Sequence, residues 1–333
     1  MEIPERFTTE KFVEALHEPS MFYDELHRWL DWDVLVHKIV GRRYYNLRHG
    51  GGVDVMERDW DTLVLLDACR YDIFAEMNDI PGELTSVLSR GSHSEEFIEN
   101  NFSGKQFHDT VYVTANVYGA QVEEGVFHDV VVSFADDTDN PRHKDNRSPE
   151  LVRDLAIKAH EQYPNKRLIV HFMQPHSPYF SDSAETVRQL FREQDGIQFR
   201  TWDGQPDDEG EVDLIKDLNE AAMRGDVSPQ LLRNLYKENL EIVLEATKEL
   251  LAELDGKSVV SADHGELLGE RKAFFRPPRF NHPKHVYMEE LRRVPWLTIE
   301  AEDRRNVVSE PPREKEDLSQ DTIEDQLEAL GYV

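Results

Sequence analysis

Lys257–Glu270 reads KSVVSADHGELLGE, and it sets the β-branched pair Val259 and Val260 directly against Asp263, His264, Gly265 and Glu266. A strand buried on both faces reads this way, apolar along its length with polar side chains delivered at its C-terminal end. In open α/β sheets ligands bind at that edge. A carboxylate beside an imidazole on such a tip supplies half of a metal site.

Working outward, the stretch before it is a long helix. Ser228-Pro229 opens it, Tyr236, Leu240, Val243, Thr247, Leu250 and Leu254 form its buried stripe, and Gly256 closes it. Further strands are expected at Asp61–Asp67, Asp109–Asn116, Val130–Phe134, Arg167–Phe172 and Val294–Ile299. Between them, 85–102 reads as a Ser-rich turn feeding a short helix, with Ser92 and Glu95 at capping-box spacing. Ser148-Pro149-Glu150 starts another helix. Strand and helix alternate from residue 61 onward, so the expected fold is α/β, a mostly parallel central sheet with helices on both faces.

Three parts are expected. Residues 1–60 read as an N-terminal helical layer, with Phe12, Leu16, Leu26, Leu30, Val34 and Ile39 at loosely helical spacing. Residues 61–300 form the α/β catalytic domain, with 181–226 as a surface insertion or lid. Residues 301–333 read as a charged linker and a C-terminal helix.

Asp and Glu total 67 against 38 Lys and Arg, a formal charge of −29 over 333 residues. Such a surface repels nucleic acid, and it reads as adaptation to a salt-rich cytoplasm, where screening relieves self-repulsion. No stretch approaches the about 20 apolar residues of a membrane span, and the N-terminus lacks the plan of a signal peptide. The expectation is a cytoplasmic protein with no transmembrane segment and no nucleic-acid partner. The single cysteine, Cys69, excludes an intramolecular disulfide and Cys-rich zinc sites.

Four strand ends carry polar groups: Asp67, Asn116, His176 and Asp263-His264. A parallel sheet brings them to one edge. Acidic and imidazole ligands suit a divalent cation, Zn, Mn, Mg or Ca. Such a cation lowers the pKa of a hydroxyl and neutralises a phosphate or sulfate ester. Ser94 stands at a helix start, where backbone N–H groups also favour an anion. Arg70 reads as structural, and Arg90 is a candidate for a substrate oxygen.

LVLLDACRYD, HFMQPHSPY, VVSADHGELLGE, YMEELRRVPWL and the terminal LGYV follow one another along the chain. In that order they resemble the motifs of the alkaline phosphatase and sulfatase superfamily, from about residue 60 to the end. The resemblance implies an alkaline phosphatase-like fold and a metal held by Asp67, Asp263 and His264. It implies a late histidine, His282 or His285, at the same metal centre, and a nucleophile between the first and middle motifs. Ser94 in GSHSEEF is the best match, and Ser92 is the next candidate. His176 matches a substrate- or metal-facing histidine, and Asn116 is a substrate-contact candidate. The formylglycine motif of true sulfatases is missing, as is an Asp after Asp67. The expected chemistry is therefore metal-dependent hydrolysis or transfer of a phosphate or sulfate ester through unmodified Ser94, on an anionic ester such as a glycan or glycan precursor. Two other readings stand beside it: a phosphoglycan-modifying transferase working on cell-surface polymer precursors, and a degenerate member that binds an anion or glycan without turnover. A second metal site of the alkaline phosphatase kind would need an Asp and two histidines; His176, His282 and His285 are available, and no further Asp is identifiable.

Overall fold

The computed structural model describes residues 42–49, 51–134, 148–195, 198–199, 214–215, 217–271 and 278–313. In chain order the elements are α1 (Arg42–His49), β1 (Thr62–Asp67), α2 (Tyr71–Met77), β2 (Glu83–Leu88), α3 (Ser94–Asn101), β3 (Phe107–Thr114), α4 (Val117–Ala120) and β4 (Phe127–Val132). There follow α5 (Pro149–Gln162), β5 (Arg167–Pro175), α6 (Asp182–Asp195), β6 (Gln198–Phe199), β7 (Leu214–Ile215), α7 (Leu218–Arg224) and α8 (Pro229–Glu253). The last are β8 (Ser258–Ser261), β9 (Leu267–Glu270), β10 (Arg279–Asn281), α9 (Glu289–Arg292) and β11 (Arg293–Ile299).

One seven-stranded sheet, in the order β2-β11-β8-β1-β5-β3-β4, organises the molecule. β1 lies parallel between β8 and β5, with Thr62 opposite both Ser258 and Leu168. β3 and β4 continue the parallel set. β11 runs antiparallel to both β8 and β2. The mostly parallel α/β fold read from the alternation is therefore the fold observed.

Period-two alternation decides which face each strand residue joins. Val64, Leu66, Val170, Phe172 and Val260 enter the core beneath α2, α5 and α8, where Phe74, Ala156, Leu235 and Leu240 meet them. Leu63, Leu65, Ile169 and Val259 enter the opposite core, closed by Phe97 and Ile98 of α3 together with Phe102, Val55 and Trp60. A strand sealed on both faces favours apolar interior positions, which is why β1 reads TLVLLD. Burying each such side chain contributes about 1.5–3 kcal/mol. In α8 the Ser228 side chain caps the Leu231 amide (3.2 Å), Pro229 stands in the first turn, and Tyr236, Leu240, Val243, Thr247 and Leu250 are buried as the spacing requires.

Several boundaries differ from the sequence reading. Residues 83–88 form an edge strand, β2, within a stretch partly read as turn; its outward face is largely exposed, so it lacks a buried-strand pattern. β4 starts at Phe127, ahead of the expected Val130. The 181–226 insertion sends Ala184, Leu218, Ala221 and Ala222 into the main core, so its inner face is part of the domain. Val55, Met56 and Trp60, counted with the N-terminal layer, are buried against the sheet. Residues 301–313 run along the opposite end of the sheet, where the Val308 amide donates to the Asn165 carbonyl (2.9 Å) and Lys166 Nζ to the Val308 carbonyl (2.8 Å). The helices expected before residue 42 and over 321–333 lie outside the described residues. No helix among the described residues is long and apolar enough to cross a membrane.

Candidate active site

The C-terminal ends of β1, β8, β5 and β3 deliver Asp67, Asp263-His264, His176 and Asn116 to one edge, as parallel strands must. The register between β1 and β5 shifts after Leu66, so that Asp67 stands opposite Pro175 and its tip departs from the ladder. Ala68 then adopts a left-handed φ of 59°. That turn is held by Tyr236 of α8, whose hydroxyl donates to the Ala68 carbonyl (2.7 Å) and accepts from the Arg70 amide (3.0 Å). Gly265 must be glycine, because a Cβ there would stand 2.1 Å from the Glu290 carbonyl oxygen. Arg70 is structural, as read: its guanidinium forks onto Asp72 (2.8 and 2.7 Å) and also reaches Glu270.

Asp67, Asp263, His171 and His264 form a first cluster, all buried. The Ala68 and His264 amides donate to Asp263 Oδ1 (3.1 and 2.8 Å), which turns Oδ2 toward the cluster. Asn116 Nδ2 donates to Asp67 Oδ2 (2.6 Å), leaving Oδ1. His264 Nε2 lies 3.4 Å from both Asp67 Oδ1 and Asp263 Oδ2, and His171 Nε2 lies 3.5 Å from Asp263 Oδ2. Asp67 Oδ1, Asp263 Oδ2 and His171 Nε2 have no hydrogen-bond partner. Buried polar atoms are seldom left so, and those three residues can offer ligand atoms within 4.8 Å of one another. Burial and the facing Asp263 push Asp67 well above the usual carboxylate range. Burial works against Asp263 too, yet the imidazoles of His264 and His171 hold it below that range. Two buried carboxylates facing each other call for a cation, so the residues present fit a divalent metal.

Ser94 opens α3 beside this cluster and is 1 % exposed. His264 Nδ1 donates to the Gly265 carbonyl (2.8 Å), so the Nε2 lone pair faces Ser94, whose hydroxyl donates to it (3.1 Å). Asn116 Nδ2 donates to Ser94 Oγ (3.0 Å). The amide of Asn116 is oriented by its other end, since Oδ1 accepts the Gly119 N–H (3.1 Å) and caps α4.

His176, Glu266 and His282 form a second cluster whose ligand atoms also lie within 4.8 Å of one another. The His176 and His282 rings are 4.9 Å apart, and His282 and His264 4.5 Å. His282 Nδ1 donates to Glu266 Oε2 (3.0 Å). Burial, aided by His282, lowers His176 to about 3; burial lowers His282 to about 4 and raises Glu266 to about 7. Neutral imidazoles are the form that binds metal. Asn239 of α8 holds the His176 loop by donating to the His176 carbonyl (3.0 Å).

Of the residues singled out from sequence, Asp67, Asp263, His264, Ser94, Asn116, His176 and His282 are brought together. His285 and Arg90 are not. His285 sits at φ 62°, half exposed, with its ring against Glu96. Arg90 pairs with Asp54 (2.8 Å) and donates to the Asn100 carbonyl (3.0 Å). The Ser92 hydroxyl is engaged away from the first cluster: it donates to Glu96 Oε2 (2.7 Å) and accepts the Val286 amide (3.2 Å). The cap of α3 is His93, whose Nδ1 accepts the Glu95 amide. Sequence reading passed over three residues. His171 interrupts the apolar run LIVHF, the kind of polar break that marks a site in a buried strand. Glu266 lies inside the DHGE motif and brings a carboxylate to the second cluster, where the sequence reading looked for an Asp. His93 precedes Ser94 and had no periodicity to reveal it.

Among solved structures, the chain is similar to the lipooligosaccharide phosphoethanolamine transferase A of Neisseria meningitidis, an integral membrane protein, at 12 % identity and a TM-score of 0.42 over 72 % of this chain and 47 % of that one. It thus spans about half the length of that enzyme. It is also similar to the zinc-bound C-terminal periplasmic domain of EptC from Escherichia coli, at 14 % identity and a TM-score of 0.41 over 75 % and 76 % of the two chains. A third likeness is to an alkaline phosphatase superfamily protein from Vibrio parahaemolyticus, at 14 % and 0.41 over 74 % and 60 %. No family model and no curated protein matches the chain.

Proposed function

We propose that this chain is a metal-dependent enzyme of the alkaline phosphatase and sulfatase superfamily that transfers a phosphate- or sulfate-ester group by way of Ser94. The observation that carries the reading is the placement of Ser94 Oγ, 3.1 Å from His264 Nε2 and 3.0 Å from Asn116 Nδ2, beside two carboxylates whose inward oxygens lack partners. Asp67, Asp263 and His264, with His171 beneath them, would hold one cation. His176, Glu266 and His282 would hold a second. Divalent ions bound there would supply an acidified hydroxyl and neutralise charge on the ester.

The chain's own groups perform the rest. Asn116 fixes one side of the Ser94 hydroxyl and turns its remaining lone pair outward. Ser94 Oγ forms a bond to phosphorus or sulfur as the ester oxygen departs, and the hydroxyl proton ends on the departing alcohol. Water or a second alcohol then cleaves the Ser94 ester and regenerates the hydroxyl. An unmodified serine favours phosphoryl over sulfuryl substrates, because no formylglycine motif accompanies it.

Ser94→Ala tests the reading. Chromogenic phosphate monoesters, diesters and sulfate esters, assayed with Zn, Mn and Mg in molar salt, should lose at least about 10³-fold in turnover while metal binding persists. Undiminished turnover by this variant would overturn the assignment. Added acceptor alcohol separates transfer from hydrolysis by the product formed.

A further inference from the structure

We propose that Tyr112 is a positioning residue of the first cation. Its hydroxyl accepts the His171 Nδ1–H, which leaves the Nε2 lone pair of that ring facing inward as a direct ligand from the interior of β5. The inference rests on the metal-dependent reading above and adds to it what fixes the ligand lying beneath Asp67 and Asp263.

A histidine inside a doubly covered strand ordinarily has both ring nitrogens satisfied. His171 has one. It stands between Leu65 and Thr114 in the sheet, is fully buried, and its Nδ1 meets Tyr112 Oη at 2.7 Å. Its Nε2 has no hydrogen-bond partner, and neither have Asp67 Oδ1 and Asp263 Oδ2. Were the ring proton on Nε2, Asp263 Oδ2 would take it. The two atoms stand 3.5 Å apart, beyond the reach of about 3.2 Å for such a bond, and no bond forms. The proton therefore belongs on Nδ1, with Tyr112 as its acceptor. A lone pair and two carboxylate oxygens then converge within 4.8 Å of one another, an arrangement for a cation. Ligand atoms sharing one zinc ion, with bonds of about 2.0–2.1 Å, stand roughly 3.4 Å apart. His264 Nε2 and His171 Nε2 lie 3.4 and 3.5 Å from Asp263 Oδ2.

The surroundings of the phenol suit that duty. Its ring is fully buried and meets Phe102 and Phe127 at 5.8 and 5.2 Å between centroids, which holds the hydroxyl in place. Burial pushes the phenol up, so it stays a neutral hydroxyl, and Thr114 hydrogen-bonds the same oxygen. Space is kept for the pair: a Cβ at Gly119 would stand 2.5 Å from Tyr112 Oη and 2.6 Å from Thr114 Oγ1. Phenylalanine would fill the ring's place equally well, so packing alone does not account for the hydroxyl. A partner on the far nitrogen is what fixes the tautomer and orientation of a metal-bound histidine.

Tyr112→Phe keeps the ring and removes the acceptor. Zinc is titrated, in competition with a chelator, into the full-length chain in molar salt. First-cluster affinity should fall about tenfold in this variant with second-cluster affinity unchanged. His171→Leu should lose the first zinc equivalent and keep the second. Wild-type affinity in Tyr112→Phe would sink the positioning role, and wild-type affinity in His171→Leu would sink the ligand. Equal losses at both clusters would do the same, since they would mark a general packing defect. If the variants fail to fold, cadmium NMR of the unaltered chain decides, with cadmium in place of zinc and nitrogen-labelled histidine. The first-cluster cadmium signal must be split by His171 Nε2, and the His171 Nδ1–H must show its contact with the Tyr112 ring. An occupied first cluster without that splitting refutes the proposal. A wild-type chain whose first cluster took no divalent cation would instead overturn the metal-dependent reading itself.

Discussion

The two clusters share one edge of the sheet but are built differently. The first stands on strand tips: Asp67 ends β1, Asp263 follows β8, and His171 lies within β5. Its carboxylates are oriented by backbone amides and by a capping asparagine. The second stands on loops: His176 follows β5, Glu266 precedes β9, and His282 follows β10. Those loops are held by long side chains, Asn239 from α8 and Glu96 from α3. Strands with neighbours on both sides fix their tips to the register of the sheet. Loops hold their geometry only as well as their clamps. The first site should therefore be preformed and insensitive to distant changes, the second adjustable and separable from it.

The largest effect should come from breaking the first cluster. Asp263→Asn keeps the shape and removes a charge from the proposed cation site, and the Ala68 turn loses a charged acceptor. Metal analysis should show the first equivalent gone, and ester turnover should fall by at least about 10³-fold. If the second cluster then also lost its metal, the two would be one site and the comparison would fail.

Next is Glu266, which tests the second cluster through pH. In the cation-free protein burial raises its carboxyl to about 7 against an ordinary 4.5. A raised carboxyl pKa favours the protonated form in the fold. Its stabilisation is complete below about pH 4.5 and is lost as pH rises through 7, on the order of 3 kcal/mol in all. Denaturant midpoints of the metal-free chain should drop across that window, and Glu266→Gln should flatten that part of the drop. In the metal-bound chain the sign reverses, since the cation requires the carboxylate, and second-site affinity should climb with pH up to about 7. Metal stoichiometry in Glu266→Gln should fall by one equivalent with the first retained. A glutamine variant with the wild-type pH profile would show that Glu266 does not face a cation.

The same contrast explains what the sequence could disclose. Strand tips are legible because a buried parallel strand has a compositional signature and its end is marked by the first polar residue, so Asp67, Asn116 and Asp263-His264 were all found. His171 escaped because a strand reading attends to ends and treats an interior histidine as noise. Loop geometry is not periodic, and between His282 and His285, three residues apart, nothing local distinguishes the inward ring from the outward one. The decision is made by Glu96, on another helix, which takes the His285 amide (3.1 Å) and its ring and so points that side chain away. The place of Arg90 is hidden for a similar reason, because Asp54, with which it pairs, lies far off in sequence. The late strand β11 was found, but its antiparallel direction depends on pairing partners that composition does not encode.

The smallest effect, and the sharpest on the comparison, should come from Glu96, which touches neither cluster. Its Oε2 accepts from the Ser92 amide (3.0 Å), the Ser92 hydroxyl (2.7 Å) and the His285 amide (3.1 Å), and Lys284 pairs with the neighbouring Glu95. Burial would raise its carboxyl, yet the Ser92 hydroxyl and amide hold it below the usual range, so it stays charged in its buried place. Together these contacts tie residues 283–286, and His282 just before them, to the first turn of the helix that carries Ser94. Glu96→Ala leaves those donors unmatched, at a cost of about 1–3 kcal/mol, and frees the loop. Second-cluster zinc affinity should fall about tenfold, with the first cluster unchanged because its ligands hang on strands. Glu96→Gln, which still accepts the hydrogen bonds but lacks the charge, should fall between the alanine variant and wild type. Equal losses at both clusters would mean that Glu96 supports the whole edge, and that the loop-built site is no more separable than the strand-built one.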